Sequence, residues 1–113
     1  MAFTEVNQIK GDNQKYRLSP EIKKYSLRDV GFMETKTGKF ELERSLDANS
    51  PYNQGFKFKM TVEADLKKFK MATLTANGMR EVDVHKGKDV DTHLEQLNFI
   101  LDNLIERQII EKA

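Results

Sequence analysis

The sequence predicts an α+β fold, with an antiparallel sheet of about five to seven strands and a short N-terminal and a long C-terminal helix packed on one face. Three observations support this prediction. Phe, Met and Val alternate with polar residues over 56–63, as in a strand with one buried face. Turn-forming residues recur between short patterned segments. Residues 88–113 carry apolar side chains at three- and four-residue spacing, without Gly or Pro, as in an amphipathic helix.

Length and composition indicate one domain without disulfide cross-links. The 113 residues fall in the usual range of a single domain, so we expect one domain over 1–113. There is no cysteine, which excludes disulfides and thiolate metal sites. Charged residues make up 33% of the chain, and no apolar run is long enough for a membrane span. We therefore expect a soluble protein with no membrane contact, located in the cytoplasm.

Three hairpins account for most of the predicted strands. Each consists of two extended segments around a turn built from Gly, Asp, Asn or Thr. They cover residues 3–18 with a turn at 11–13, residues 32–47 with a turn at 37–38, and residues 71–86 with the Asn77-Gly78 pair. Asn-Gly is the pair preferred in a type I′ turn. In the second hairpin, alternation with Phe40 and Leu42 places Arg44 on the apolar face.

The short helix is predicted from its start and stop signals. Ser19 can cap a helix whose first residue is Pro20, and Gly31 can end it. Its buried side is predicted to include Ile22, Tyr25 and Leu27.

The C-terminal helix is predicted to be about 22 residues long, which at 1.5 Å per residue is roughly 33 Å. It is therefore long enough to cross the sheet and cover its apolar face. We expect Leu97 and Leu101 to be buried against apolar residues of the sheet, namely Phe56, Phe58, Met60 and Val82.

No catalytic residue, metal ligand or cofactor site is predicted. The two histidines, His85 and His93, are the natural candidates for acid–base or metal chemistry. His93 lies four residues after Asp89, but an Asp–His pair does not make a metal site and no HExxH spacing occurs. Nucleophile-elbow and phosphate-loop motifs are also absent from the sequence, so an enzyme is not favoured.

Four residues are candidates for ligand or partner contact: Arg44, Tyr52, Lys57 and Lys59. Arg44 stands among apolar residues, so it either extends its charge to solvent at the sheet edge or meets an acid or an anionic ligand. Tyr52 lies in a Ser-Pro-Tyr loop. Lys57 and Lys59 belong to a local basic excess, but the neighbouring phenylalanines occupy the opposite strand face, which disfavours nucleic-acid binding.

The sequence also resembles a small family from lactic-acid bacteria and their relatives that carries a domain-of-unknown-function label. The segments that carry the resemblance are YSLRDVGF at 25–32, FELERSL at 40–46, SPY at 50–52 and TANG at 75–78. The resemblance covers the whole chain and implies a TATA-binding-protein-like or helix-grip fold, without catalytic residues. It also implies a role accessory to sulfur transfer or transfer-RNA thiolation.

Two hypotheses for function follow. The first is a non-enzymatic adaptor or binding protein with a protein partner. The second is a small-molecule-binding protein that uses the groove between the sheet and the C-terminal helix. An enzyme ranks third. The sequence does not specify the oligomeric state.

Overall fold

The computed structural model of the chain describes residues 3–46, 56–86 and 90–113. Within these ranges it contains seven strands and two helices. They are β1 (Val6–Gln8), β2 (Lys15–Leu18), α1 (Lys24–Val30), β3 (Met33–Glu34), β4 (Phe40–Ser45), β5 (Lys57–Val62), β6 (Phe69–Leu74), α2 (Val90–Glu106) and β7 (Ile110–Lys112).

The larger sheet has four antiparallel strands in the order β3-β4-β5-β6. The alternation that predicted β5 is confirmed, because Phe58, Met60 and Val62 are fully buried on its inner face. Cross-strand partners share a face in an antiparallel sheet. The outer face is therefore formed by the polar partners of β4, β5 and β6, such as Glu41 and Thr61.

A second sheet corrects the prediction of one continuous sheet. β1, β2 and β7 form a three-stranded antiparallel sheet in the order β1-β2-β7. The two sheets are linked where Thr4 and Phe69 exchange main-chain hydrogen bonds of 3.0 and 2.9 Å. The buried Asn7 side chain then donates to the Phe69 carbonyl over 2.8 Å. That carbonyl therefore accepts both the Thr4 amide and the Asn7 side chain, and the residues after this bridge pair with β2 as strand β1.

The two helices contribute to one buried cluster that also includes residues of both sheets. Leu27 of α1 and Leu97, Leu101 and Leu104 of α2 are almost fully buried in it. The predicted burial of Leu97 and Leu101 is thus confirmed. No helix in the described part of the chain is long and apolar enough to cross a membrane.

The start of the first helix differs from the prediction, whereas its end agrees with it. α1 begins at Lys24, because Ser19 instead holds a turn: its hydroxyl accepts from the Glu21 amide and its carbonyl from the Ile22 amide. The prediction that Tyr25 is buried is wrong, since its exposed fraction is 61%. Gly31 ends the helix in the left-handed conformation, as predicted.

The third predicted hairpin is only partly formed. Beyond β6 the chain makes a single bridge, between Leu74 and Glu81, instead of a full strand over 79–86. The turn is also not type I′, because Asn77 does not have the positive φ which that turn requires. Its side chain accepts hydrogen bonds from the Thr75 hydroxyl and the Met79 amide, and Gly78 takes the left-handed position.

The C-terminal helix is shorter than predicted, and the strand that follows it was missed. α2 spans 17 residues and is followed by β7, which pairs with β2. The helix ends in a Schellman motif, in which the Ile109 amide donates to Leu104 and the Gln108 amide to Ile105. Gln108 occupies the left-handed position at φ 60°. No glycine marks this break in the sequence, and Ile109 and Ile110 continue the helical spacing of apolar residues. The sequence therefore does not indicate that the helix ends before them.

Replacing Gln108 with glycine is expected to stabilise the protein by about 0.5 kcal/mol. The left-handed conformation costs a residue with a Cβ roughly 1–2 kcal/mol, and the greater freedom of glycine in the unfolded chain offsets about 0.4–1 kcal/mol of that gain. Urea melts of Gln108→Gly measure the difference. Gln108→Ala serves as the control, since it keeps the Cβ, and a gain as large in that variant would contradict the explanation.

Tyr16 provides a test of the buried face of β2, where its side chain is 5% exposed. Burial, followed by the nearby negative charges of Asp12 and Asp102, raises the pKa of Tyr16 above its ordinary value of 10.0. The unfolded chain therefore ionises this tyrosine first. Its contribution to stability is complete below pH 10.0 and is lost as pH rises towards the folded-state pKa. We expect the alkaline loss of unfolding free energy to be smaller in Tyr16→Phe than in the parent, as measured by urea melts on either side of that pH. An equal loss in both proteins would contradict this assignment.

Candidate functional site

The outer face of the four-stranded sheet carries paired charges in register. Lys57 Nζ lies 3.0 Å from a carboxylate oxygen of Glu43, and Lys59 Nζ lies 3.5 Å from one of Glu41. Both pairs are diagonal across β4 and β5, since the residue directly opposite Lys57 is Ser45 and the one directly opposite Lys59 is Glu43. The lysines and glutamates that alternate with the buried residues are therefore not independent solvent-facing groups. They form a row of ion pairs across the sheet.

Beside this row is a groove with a cavity volume of about 300 Å³. Its floor is formed by outer-face residues of β5 and β6 that are unusually well covered, with Thr61 only 5% and Ala72 only 9% exposed. Leu74 extends the apolar floor, and Gly78 of the following turn lies at the same end. A cavity of this size is at the lower end of the range for small-molecule sites.

The charged groups of the groove are Lys59, Lys70 and Glu81. Lys70 differs from the other lysines of the face, because no ion pair engages it in the described parts of the chain. Instead its Nζ lies 4.8 Å from the ring centroid of Phe3. The Nζ of Lys39 lies 4.7 Å from the same ring. Phe3 thus holds two ammonium groups near one end of the groove through cation–π contacts.

Lys57 and Lys59, predicted as contact residues, lie on this face. Lys59 lines the groove directly. Lys57 lies next to it, with its Cε 3.4 Å from the position that a Cβ on Gly78 would occupy. The prediction that neighbouring aromatic side chains face the opposite way is confirmed for Phe58, which is fully buried.

Arg44, the third predicted contact residue, lies apart from the groove. Its Nη2 donates to the Val30 carbonyl over 2.7 Å and its Nη1 to the Glu43 carbonyl over 3.0 Å. The side chain is exposed and lies over Gly31, where an added Cβ would collide with it. Arg44 thus carries its charge from the apolar face to the sheet edge and caps the carboxyl end of α1. Tyr52, the fourth candidate, lies outside the described residues.

The two histidines lie in different environments and do not come together with a cluster of acids. His93 is a buried residue of α2, its ring centroid lies 5.2 Å from that of Phe56, and its Nδ1 has no hydrogen-bond partner among the described residues. His85 Nδ1 lies 3.3 Å from Asp83 Oδ1 but is not aligned for a hydrogen bond. Within residues 3–46, 56–86 and 90–113, no group of three His, Cys, Asp or Glu side chains is placed to hold a metal ion.

Two further cavities are less suited to a ligand. The groove between the sheet and α2 contains a cavity of about 180 Å³ next to Leu42 and Ile100, which is smaller than usual ligand sites. The other, of about 360 Å³, lies at the β3 edge and is lined by Glu34, Glu41 and Glu43. Each of these three carboxylates already pairs with a basic side chain of the chain itself.

Sequence reasoning missed the roles of Lys70, Glu81 and Phe3. Lys70 belongs to the same basic stretch of the sequence as Lys57 and Lys59, but its position opposite Thr61 depends on the register between β5 and β6. Glu81 reaches the groove through an isolated bridge that follows an irregular turn. Phe3 approaches through the junction of the two sheets. Residues 70–74, Lys-Met-Ala-Thr-Leu, do not alternate between polar and apolar, so no pattern marks Lys70, Ala72 and Leu74 as one face.

The fold and the groove define a small α+β protein with a ligand-sized cleft on an outer sheet face. The model of the DUF1831 family, which carries the description "Putative amino acid metabolism", matches residues 1–111. The chain therefore belongs to the DUF1831 family.

The crystal structure of a DUF1831 family protein from Lactobacillus plantarum is similar over the whole length. It matches with a TM-score of 0.91 and 46% sequence identity, covering 100% of this chain and 99% of that chain. None of the curated proteins matches the chain. The resemblance to a family from lactic-acid bacteria is thus confirmed, while the TATA-binding-protein-like or helix-grip arrangement stays a prediction.

Proposed function

We propose that this chain is a non-enzymatic binding protein that takes a small carboxylate-bearing metabolite in the groove on the outer sheet face. The observation that carries the proposal is the position of Lys70, a cation without a carboxylate partner in the described residues, at one end of an apolar floor. An ammonium group in such a place can form a charge-assisted hydrogen bond to a ligand carboxylate. Leu74 and Ala72 provide apolar surface for the rest of the ligand.

The family description supports the same class of ligand, since amino acids and their derivatives carry a carboxylate. Lys59 is placed to assist Lys70, because Thr61, the register partner of Lys70, is two residues along β5 from Lys59. Its own charge is shared with Glu41 at 3.5 Å. An anionic group of the ligand that approached Lys59 would therefore compete with Glu41 for its ammonium group. We expect Lys70 to contribute more to the affinity for the ligand than Lys59 does.

The test is isothermal titration with the twenty amino acids and a series of short-chain carboxylates. Lys70→Gln is expected to lower the affinity of the tightest of these by about tenfold or more, because a hydrogen bond to a charged group is worth about 1.5–3 kcal/mol. Lys67→Gln is the matched control, since Lys67 is exposed on the β5–β6 connection and lines no part of the groove. If no carboxylate binds, or if both variants lose affinity equally, the proposal is wrong.

A protein partner is the second candidate function. The observation that favours it is Phe99 of α2, whose exposed fraction is 72%, next to the small cavity between α2 and β4. Exposed aromatic residues are enriched at protein interfaces. The role accessory to sulfur transfer or transfer-RNA thiolation stays a prediction. The chain contains no cysteine and could not itself carry a persulfide.

A further inference from the structure

The length of the groove limits the shape of a ligand that can fill it. It follows β6 from Lys70 to Leu74, and four residues of a strand span about 13 Å. The turn that contains Gly78 and the bridge that carries Glu81 bound it at the Leu74 end. A ligand that occupies the whole floor is therefore elongated.

The net charge changes sign along this length. At one end, Lys70 and Lys39 contact the Phe3 ring and have no carboxylate partner in residues 3–46, 56–86 and 90–113. In the middle, Lys59 is neutralised by Glu41. At the far end, the charge of Lys57 is matched by that of Glu43.

Glu81 leaves the far end with a negative charge. It is exposed, and no ion pair engages it in the described parts of the chain. Among the groups that line the groove, the Lys70 end is therefore positive and the Glu81 end negative, while the neighbouring Arg80 is exposed and does not line the groove. The groove is complementary to an extended zwitterion with its two charges roughly 10 Å apart.

From this arrangement we infer that the groove binds a short peptide of three or four residues with free termini, lying along β6. Its carboxylate faces Lys70 and its ammonium group faces Glu81. The inference rests on the proposed function and makes it more specific. A free amino acid carries its two charges about 3 Å apart and cannot reach both ends. An extended peptide rises about 3.3 Å per residue, so three or four residues match the separation.

The floor sets a side-chain preference as well. Ala72 is 9% exposed and Thr61 is 5% exposed, so no deep pocket opens beneath the ligand. Small uncharged side chains such as alanine fit this floor. The probes for the inference are therefore trialanine and its blocked forms.

Isothermal titration of the full chain with trialanine, N-acetyl-trialanine, trialanine amide and alanine tests the inference. Trialanine is expected to bind about tenfold or more tightly than each of the other three, since each of them lacks one of the two charge contacts. If alanine or a simple carboxylate binds as tightly as trialanine, the proposed function stands and the peptide inference falls. If none of these probes and no carboxylate binds, both fall.

Two variants test which terminus of the peptide lies at each end of the groove. Glu81→Gln is expected to weaken trialanine about tenfold while leaving N-acetyl-trialanine unchanged, because the acetylated peptide has no ammonium group to lose a contact. Lys70→Gln is expected to weaken trialanine while leaving trialanine amide unchanged. Lys67→Gln is the control and should change none of these affinities. Equal effects of Glu81→Gln on the free and acetylated peptides would overturn the orientation and with it the inference.

Discussion

Replacing Leu101 with alanine is expected to lower the free energy of unfolding by about 2–5 kcal/mol. Leu101 lies on the buried face of α2 and is 1% exposed, within the cluster that unites both sheets and both helices. The cost has two parts, the lost transfer of the side chain out of water and the cavity that remains where the structure cannot collapse. Since small domains are stable by only about 5–15 kcal/mol, this is a large part of the total.

Urea melts of Leu101→Ala and of Glu106→Ala measure this effect. Glu106 ends the same helix and is exposed, so its replacement should change the unfolding free energy by less than about 0.5 kcal/mol. A loss in Leu101→Ala as small as that of the control would show that α2 is peripheral. Its apolar stripe would then be better explained as a surface for a partner.

Replacing Phe58 with alanine is expected to have an effect at least as large, about 3–5 kcal/mol. Phe58 is fully buried on β5 and lies directly opposite Thr73, whose side chain is also fully buried. No neighbouring group can fill the volume of a phenyl ring without moving the sheet, because protein interiors are close-packed.

Lys59→Ala is the matched control for Phe58→Ala, since the two residues are adjacent but lie on opposite faces of one strand. The Lys59 side chain is 35% exposed and its ion pair with Glu41 is a surface pair, worth about 0–1 kcal/mol. We expect Lys59→Ala to melt close to the parent. A loss of similar size in both variants would contradict the assignment of one buried and one outer face.

The elements that were predictable from the sequence are those with strong local signals. β5 follows from its alternation, and the end of α1 follows from Gly31, because only glycine readily adopts φ 117° there. β7 was not predictable, since Gln108 breaks the helix in a conformation that glycine usually marks. The division into two sheets was not predictable either. It depends on contacts between residues far apart in the sequence, such as the Thr4–Phe69 bridge and the hydrogen bond from Asn7 to the Phe69 carbonyl, which joins residues 62 apart.

The candidate site shows the same limit. Lys57 and Lys59 were singled out from their position on an outer strand face, which the register between β4 and β5 confirms. The residues that give the groove its polarity, Lys70 and Glu81, come together only through the pairing of β6 with β5 and with the segment that follows the turn. The periodicity of a sequence indicates which residues share one face of a strand or helix. It does not indicate which strands pair or which faces pack together.

The most direct test of the binding site is a map of backbone amide chemical shifts during titration with trialanine. Binding in the groove predicts shifts at 59–61, 70–74 and 78–81, with residues along the exposed side of α2 around Phe99 unchanged. It also predicts that Lys70→Gln reduces these shifts at the same peptide concentration. Shifts confined to α2 and the β4 edge, with 70–74 unperturbed, would contradict the account and place the binding surface on the other side of the molecule.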